Sequence, residues 1–171
     1  MAVENLTQLL KHELGDILYA ERTFLKGLKK MSKEVRDPRM KSRIEQHAAE
    51  TEDQIVNVEK AFDTIGYAAR AQKCDAAVGL KEEHDNFIED EEPNKAMLEA
   101  FDVGSGLRVE HYEIAAYRTA IAISEALGNA ECSRLLNANL EQEVAMATFI
   151  ERNALGAMQK LEGMAEKESA K

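Results

Sequence analysis

The sequence predicts an all-α protein, and three observations support this prediction. Apolar residues recur at steps of three and four along four long segments, the spacing that gives a helix one apolar face. The composition is rich in Ala, Glu, Leu and Lys, which favour helices, and includes only two Pro. At 171 residues, the chain is long enough to bury the core of one domain. We therefore expect a single domain over residues 1–171, with long helices at about 3–35, 38–65, 95–127 and 129–162.

The first two helices are predicted to form a hairpin. Glu21 interrupts the apolar stripe of the first helix at a position where the spacing expects an apolar residue. Asp37 followed by Pro38 supplies an N-cap with proline at the first helical position, which indicates the start of the second helix. The stripe of the second helix is interrupted by His47, and Gly66 stands where this helix should end.

The other two helices follow a long connection over residues 66–94, in which Asp75 can cap a short extra helix. Glu110 interrupts the apolar stripe of the third long helix and Glu143 that of the fourth, with Gly128 marking the turn between them. Two helical hairpins joined by a long crossover form a ferritin-like four-helix bundle. This is the predicted fold, with the crossover between the second and third long helices.

The charge of the chain excludes some partners. Lys and Arg number 22 against 32 Asp and Glu, which gives a formal net charge of −10. Nucleic acids and anionic membranes attract clustered positive charge, so neither is expected as a partner. No apolar run approaches the roughly 20 residues of a membrane helix, and the N-terminus lacks the regions of a signal peptide. We expect a cytoplasmic protein in which Cys74 and Cys132 are free thiols.

Each long helix thus carries one polar side chain that can bind a metal on its apolar seam. Burying an unpaired carboxylate costs several kcal/mol unless a cation or hydrogen bonds compensate. One such residue alone would more simply be a hydrogen-bonded or solvent-reaching Glu, or a core histidine. Four of them, one per helix, require a shared explanation. The residues are Glu21, His47, Glu110 and Glu143.

The spacing within and between helices favours one metal layer. His47 and Glu50 are three residues apart, as are Glu110 and Glu113, so each pair lies on one helix face. At about 1.5 Å per residue, the acids of both hairpins lie roughly 22 Å from their turns, near the middle of the bundle. Such a ligand supply is typical of a di-iron or di-manganese carboxylate centre, although the usual pair is Glu-x-x-His. We expect two divalent ions, Fe or Mn, with Glu21, His47, Glu50, Glu110, Glu113 and Glu143 as ligands.

Two tyrosines beside this layer allow more than one interpretation. Tyr117 lies on the third seam and Tyr112 lies beside it. Either could act next to the metals as a redox-active or supporting group, and either could simply fill the core as an amphipathic side chain. The remaining histidines fall off the seams or in the crossover, where we expect surface positions. They are His12, His84 and His111.

Several strings of residues resemble the YciE/YciF family of ferritin-like bacterial stress proteins. The most specific is Val109-Glu-His-Tyr-Glu-Ile-Ala-Ala-Tyr117, and the supporting strings are Glu13–Glu21, Glu45–Glu52, Lys73–Ala76 and Leu140–Glu143. The resemblance implies a four-helix bundle with a short extra helix in the crossover, a homodimer and a dinuclear metal centre. It leaves the reaction and the catalytic residues undefined. This sequence has Ala147 where family members often carry an acid.

Three functions are compatible with these features. The first is a di-metal oxidoreductase that reduces peroxide or O₂, because a buried Fe or Mn pair can cycle between two oxidation states. The second is metal binding or storage without turnover. The third is a stress-related interaction protein in which the buried acids are stabilised by hydrogen bonds alone.

Overall fold

The computed structural model describes residues 3–169, with side chains through Glu166, so the first two and last two residues of the predicted domain lie outside it. Within this range the chain forms five helices and no strand. They are α1 (Leu6–Glu34), α2 (Pro38–Thr64), α3 (Asp75–Glu91), α4 (Lys95–Ala126) and α5 (Ala130–Ser169). The predicted all-α, ferritin-like bundle is confirmed, with α3 as the extra helix of the crossover.

Three boundaries differ from the predicted ones. The first helix begins at Leu6, with Asn5 as its N-cap, and not near residue 3. The last helix continues to Ser169 instead of ending near residue 162, because its polar end contains no proline that would stop it. The N-cap of α3 is Cys74, whose Sγ accepts from the backbone N–H of Ala77 at 3.5 Å. Asp75, the predicted cap, is instead the first helical residue, where a negative charge suits the N-terminal end of the helix dipole.

The four long helices pack as two hairpins. The first consists of α1 and α2 and the second of α4 and α5. The hairpins meet where α2 packs on α5 and α1 packs on α4, and α3 lies across α4 and α1. Every long helix therefore contributes one face to a shared interior.

The turns of the bundle use residues that suit their backbone. Gly66 after α2 and Gly128 after α4 have φ values of 76° and 68°, which favour glycine. Asn129 then caps α5 by accepting from the N–H of Cys132 at 3.1 Å. Its side-chain amide also donates to Thr64 Oγ1 at 3.0 Å, which ties the α4–α5 turn to the end of α2.

The crossover passes close to the backbone of α1. The N–H of Gln72 donates to the carbonyl of Gly15 at 2.9 Å. A Cβ at position 15 would lie 3.1 Å from Cβ of Gln72 and 3.3 Å from the carbonyl oxygen of Arg70. A glycine in the middle of α1 therefore allows the connection to cross this helix closely.

A polar layer separates two apolar parts of the core. On one side, toward the start of α1, lie buried residues that include Leu10, Leu14, Val58, Phe62, Ile121 and Leu136. On the other side, toward the turn between α1 and α2, lie Ile44, Val103, Met146 and Ile150. The acids and the histidine predicted on the seams fill the level between them, and this level is the candidate site.

Candidate metal centre

Five side chains from all four long helices meet in the polar layer. They occupy seam positions, where helical spacing directs them inward, and each is no more than 5% exposed. Glu113, which the sequence predicted as a ligand from its spacing to Glu110, is buried in the layer. The five residues are Glu21, His47, Glu110, Glu113 and Glu143.

His47, Glu110 and Glu143 come closest to a metal-binding arrangement. One ligand atom of each lies within 4.8 Å of the others. Nε2 of His47 is 3.4 Å from Oε2 of Glu110 and 3.8 Å from Oε2 of Glu143. Both contacts are at ion-pair distance, but neither carboxylate oxygen accepts a hydrogen bond. The imidazole nitrogen and the two carboxylates thus face one small volume.

Three carboxylate oxygens in the layer lack a hydrogen-bond donor. They are Oε2 of Glu110, Oε1 of Glu113 and Oε2 of Glu143, and all are shielded from solvent. Native structures rarely leave buried polar atoms without partners, so each such atom requires an explanation. Anionic oxygens and an imidazole nitrogen are the donor set of Fe and Mn sites, and these side chains therefore fit a bound cation.

Burial and crowding disfavour the ionised carboxylates in the metal-free layer. Burial raises the pKa of Glu21 to about 8, although the hydrogen bond from Tyr117 and the nearby His47 act in the opposite direction. Burial and the neighbouring negative charges also hold the pKa values of Glu113 and Glu143 well above the ordinary range of a glutamate. Without a cation, this layer is an unfavourable place for charge.

His47 is oriented from its outer side by Glu50. Oε2 of Glu50 lies 3.1 Å from Nδ1 of His47 and 2.9 Å from Nη1 of Arg43. Although burial alone would lower the pKa of His47, its contacts with Glu110 and Glu50 raise it to about 10. Burial opposes ionisation of Glu50, but the contacts with His47 and Arg43 dominate and lower its pKa to about 2. Glu50 is thus half-buried behind the imidazole, away from the volume that Nε2 faces.

A hydrogen-bonded network on the other side of the layer was not predicted. Nε2 of Gln54 donates to Oε1 of Glu143, and the hydroxyl of Tyr117 donates to Oε1 of Glu21. Asn139 joins the two, because its Nδ2 lies 2.9 Å from the Tyr117 hydroxyl and 3.1 Å from the carbonyl oxygen of Gln54. Tyr117 is therefore a supporting group of the layer as well as a core residue.

The signal for Gln54 and Asn139 was present in the sequence. Gln54 follows His47 by seven residues, and Asn139 precedes Glu143 by four, so both spacings return to the same helix face. Both side chains are fully buried. Amides on a seam bind metals less commonly than carboxylates or imidazole, and for this reason the sequence did not single them out.

The remaining candidates lie outside the layer. His12 is half-buried and contacts Gln72, and His111 is exposed and contacts Glu151. His84 is half-buried and contacts Asp102 at 2.8 Å. The hydroxyl of Tyr112 lies 2.9 Å from Sγ of Cys74. Both cysteines are buried free thiols, as predicted.

The fold and the layer together define a class of protein, namely an all-α bundle of ferritin-like arrangement with a buried carboxylate-rich site. Comparison with known proteins makes this class more specific. Residues 5–162 match the DUF892 family, described as a domain of unknown function. The chain is also 30% identical to Protein YciF of Escherichia coli over 146 residues, which cover 85% of this chain and 87% of YciF. It therefore belongs to the DUF892 family, and the predicted resemblance to YciE/YciF proteins is confirmed.

Two solved structures share the fold. The crystal structure of the E. coli stress protein YciF matches with a TM-score of 0.83 at 28% identity, covering 92% of this chain and 99% of that chain. The structure of YcfI from Rhodopseudomonas palustris matches with a TM-score of 0.82 at 35% identity, covering 87% of this chain and 94% of that chain. The match extends over nearly the whole bundle in both cases.

Among the described residues, no helix combines the length and the hydropathy required to cross a membrane.

Proposed function

We propose that this protein is a stress-associated, ferritin-like protein whose polar layer holds two divalent metal ions, Fe or Mn. The observation that carries the proposal is the set of three buried carboxylate oxygens, on Glu110, Glu113 and Glu143, that lack a hydrogen-bond donor. Fe or Mn would supply the missing partner and offset the negative charge of the layer. We propose Glu21, His47, Glu110, Glu113 and Glu143 as ligands. Glu50, the sixth predicted ligand, lies behind His47 and orients the ring.

The proposed activity is the reduction of peroxide or O₂. A pair of Fe or Mn ions, when bound, would supply two electrons on passing from the divalent to the trivalent state, and an external reductant or a second peroxide molecule would return them. The chain provides apolar clusters on both sides of the layer that exclude water, and a hydrogen bond to Nδ1 of His47 that fixes the ring so that Nε2 faces inward. The Tyr117 hydroxyl holds Glu21 in place. The alternative is a metal-binding or interaction protein without turnover.

The stress association, the cytoplasmic location and the homodimer belong to the same proposal. The stress association is supported by the description of the E. coli relative as a stress protein. The location and the dimer follow from the sequence and from the family resemblance. Light scattering of the purified protein tests the dimer. A particle mass of one chain would contradict it.

Metal content tests the central claim. Protein expressed in medium supplemented with Fe or Mn should retain about two of these ions per chain after gel filtration, as expected for a dinuclear carboxylate site. Metal content near zero under both conditions would overturn the proposal. Peroxide consumption by the loaded protein, compared with the metal-free protein, then separates catalysis from binding alone.

A matched pair of variants on α5 locates the site. Glu143→Gln keeps the shape of the side chain and its hydrogen bond from Gln54 but removes a carboxylate from the layer. We expect it to lose most of the metal, with the stability of the metal-free protein little changed, since the raised pKa of Glu143 already leaves this side chain largely uncharged there. Glu141→Gln changes an exposed acid two residues away and should behave like the wild type. Equal metal content in both variants would contradict the assignment.

A further inference from the structure

A cavity of about 550 Å³ extends from the polar layer toward the turn between α1 and α2. Its size is typical of small-molecule sites in proteins. All five helices contribute to its walls, which are mostly apolar. Its apolar residues include Phe24, Leu28, Val103, Val109, Met146 and Ile150.

The inner end of the cavity coincides with the candidate metal centre. His47, Glu110 and Glu113 line both the cavity and the polar layer. Along α1, the lining extends from Tyr19 to beyond Lys30, a span of about 16 Å at the rise of an α-helix. The cavity is therefore elongated, with a polar inner end and an apolar middle part.

The outer end carries unpaired positive charge. Lys26 and Lys30 line the cavity one helical turn apart on α1 and are exposed, and neither forms an ion pair with the described side chains. Glu34, an exposed acid one turn further along α1, also lines the cavity and forms no ion pair with the described side chains. Two lysines and one glutamate leave a net charge of +1 on the face of α1 that lines the cavity. The chain as a whole carries −10, which makes this local surplus unusual.

The other acids at this end are already paired. Lys160 contacts Asp37 at 2.6 Å, and Lys81 contacts Asp85. Arg36 contacts Glu99 at 2.5 Å, and His84 contacts Asp102 at 2.8 Å. These acids consequently add little free negative charge beside the two lysines.

We propose that this cavity binds an amphiphile with one aliphatic chain and one carboxylate, such as a medium-chain fatty acid. The carboxylate lies between Lys26 and Lys30, and the chain extends along the apolar walls toward His47 and Glu110. In the metal-free protein, the opposite orientation would place the carboxylate beside Glu110 and Glu113. That this molecule is a substrate of the metal layer rests on the proposed function, whereas its binding does not.

Gly27 offers a way to close the cavity without disturbing the fold. It lines the cavity between the two lysines, and a Cβ built on it would meet no atom within 4 Å. A larger residue also favours the helix more than glycine does. Gly79 on α3 is equally open, lies outside the cavity lining and provides a matched control.

The experiment is displacement of a fluorescent fatty acid from the metal-free, full-length protein by decanoate. Decanoate should displace the probe saturably, and decanol should do so less well. Gly27→Leu should weaken decanoate binding by about tenfold or more, an effect measurable as a change in Kd, while Gly79→Leu leaves it unchanged. In the double variant Lys26→Ala and Lys30→Ala, decanoate should lose its advantage over decanol, whereas Lys33→Ala should retain it.

Several results would overturn the proposal. If decanoate does not displace the probe, this ligand class does not bind the cavity. The same conclusion follows if Gly27→Leu and Gly79→Leu have equal Kd values for decanoate. Light scattering measures whether Gly27→Leu changes the mass of the particle. If the mass changes and decanoate binding does not, a second copy of the chain, and not a fatty acid, covers the opening of the cavity. Metal content measured on the same proteins reports separately on the proposed metal centre, so each failure can be distinguished from the other.

Discussion

The buried hydroxyl of Tyr117 connects the candidate metal layer to its supporting network. It donates to Glu21 and lies 2.9 Å from Nδ2 of Asn139, which also contacts the backbone of α2. Three helices are thus joined through one oxygen atom. Burial and the adjacent negative charges raise the pKa of this phenol well above its ordinary value, so it remains a donor at neutral pH.

Removing that hydroxyl should destabilise the protein. Tyr117→Phe leaves the ring in place but removes the donor to Glu21 and one of the two acceptors of Asn139 Nδ2. Leaving a buried polar group without its partner costs about 1–3 kcal/mol. Urea denaturation of the metal-free protein measures the loss. Tyr19→Phe on α1 is the control, because the Tyr19 hydroxyl forms no hydrogen bond in the described part of the chain. Equal stabilities of the two variants would show that the network contributes little.

The residue pattern of the sequence predicted which ligands face inward, but it did not predict the contacts between side chains. Glu21, His47, Glu110 and Glu143 were identifiable because each interrupts an apolar stripe. Glu50 could face either the cluster or the outer side of His47. Its orientation depends on Arg43, because Nη1 of Arg43 lies 2.9 Å from Oε2 of Glu50, and the position of Arg43 follows from packing. Spacing along one helix contains no information about such a partner.

At the scale of elements, the start of α2 is joined to the last helix. Oδ1 of Asp37 accepts from the backbone N–H groups of Arg39 and Met40 at 2.9 and 3.2 Å, and Oδ2 contacts Nζ of Lys160 at 2.6 Å. The contact with Lys160, together with the backbone donors, lowers the pKa of Asp37. One side chain therefore caps α2 and anchors α5.

Substitutions of Asp37 separate these two roles. Asp37→Ala removes the cap and should cost about 0.5–2 kcal/mol of unfolding free energy. Asp37→Asn keeps a good capping side chain and loses only an exposed ion pair, which typically contributes less than about 1 kcal/mol. Thermal or urea unfolding at pH 7 measures both. A loss for Asn as large as that for Ala would assign the stabilisation to Lys160 instead.

The elements themselves were predictable where local signals are strong. Asp37-Pro38 indicated the start of α2, and Gly66 and Gly128 indicated two turns, because these residues suit the backbone required there. The cap of α3 was not predictable in the same way. Cys74 is an uncommon cap, and Asp75 beside it carries the stronger sequence signal. The close passage of the crossover over Gly15 depends on tertiary packing.

For the molecule as a whole, the charge of −10 consists of two populations. Most acids lie on exposed faces, and a small group lies in the polar layer. The buried group makes the stability of the metal-free protein depend on pH. A carboxyl with a pKa raised to about 8, as in Glu21, stabilises the fold below its unfolded pKa, and this contribution is lost as the pH rises toward 8. His47 acts in the same direction, since its contribution is lost between its ordinary pKa of 6.5 and about 10.

The metal-free protein should therefore lose stability as the pH is raised from 5 to 9. Bound metal should reverse this trend, because cations replace protons on the same oxygens and nitrogens and bind more tightly where protons are scarce. Thermal unfolding with EDTA and with Mn²⁺ across this pH range provides the measurement. A metal-induced increase in Tm that is as large at pH 5 as at pH 8 would contradict the proton competition.

The proposed ligands come from both hairpins, and this has a consequence for folding kinetics. Each hairpin can form from contacts that are close in the chain, whereas the bonds across the layer join residues as far as 96 positions apart, as between Tyr117 and Glu21. The layer is complete only after the hairpins have docked. A metal ion held by both of them would bind only after the hairpins have docked, and we expect it to lengthen the lifetime of the folded state more than it speeds its formation.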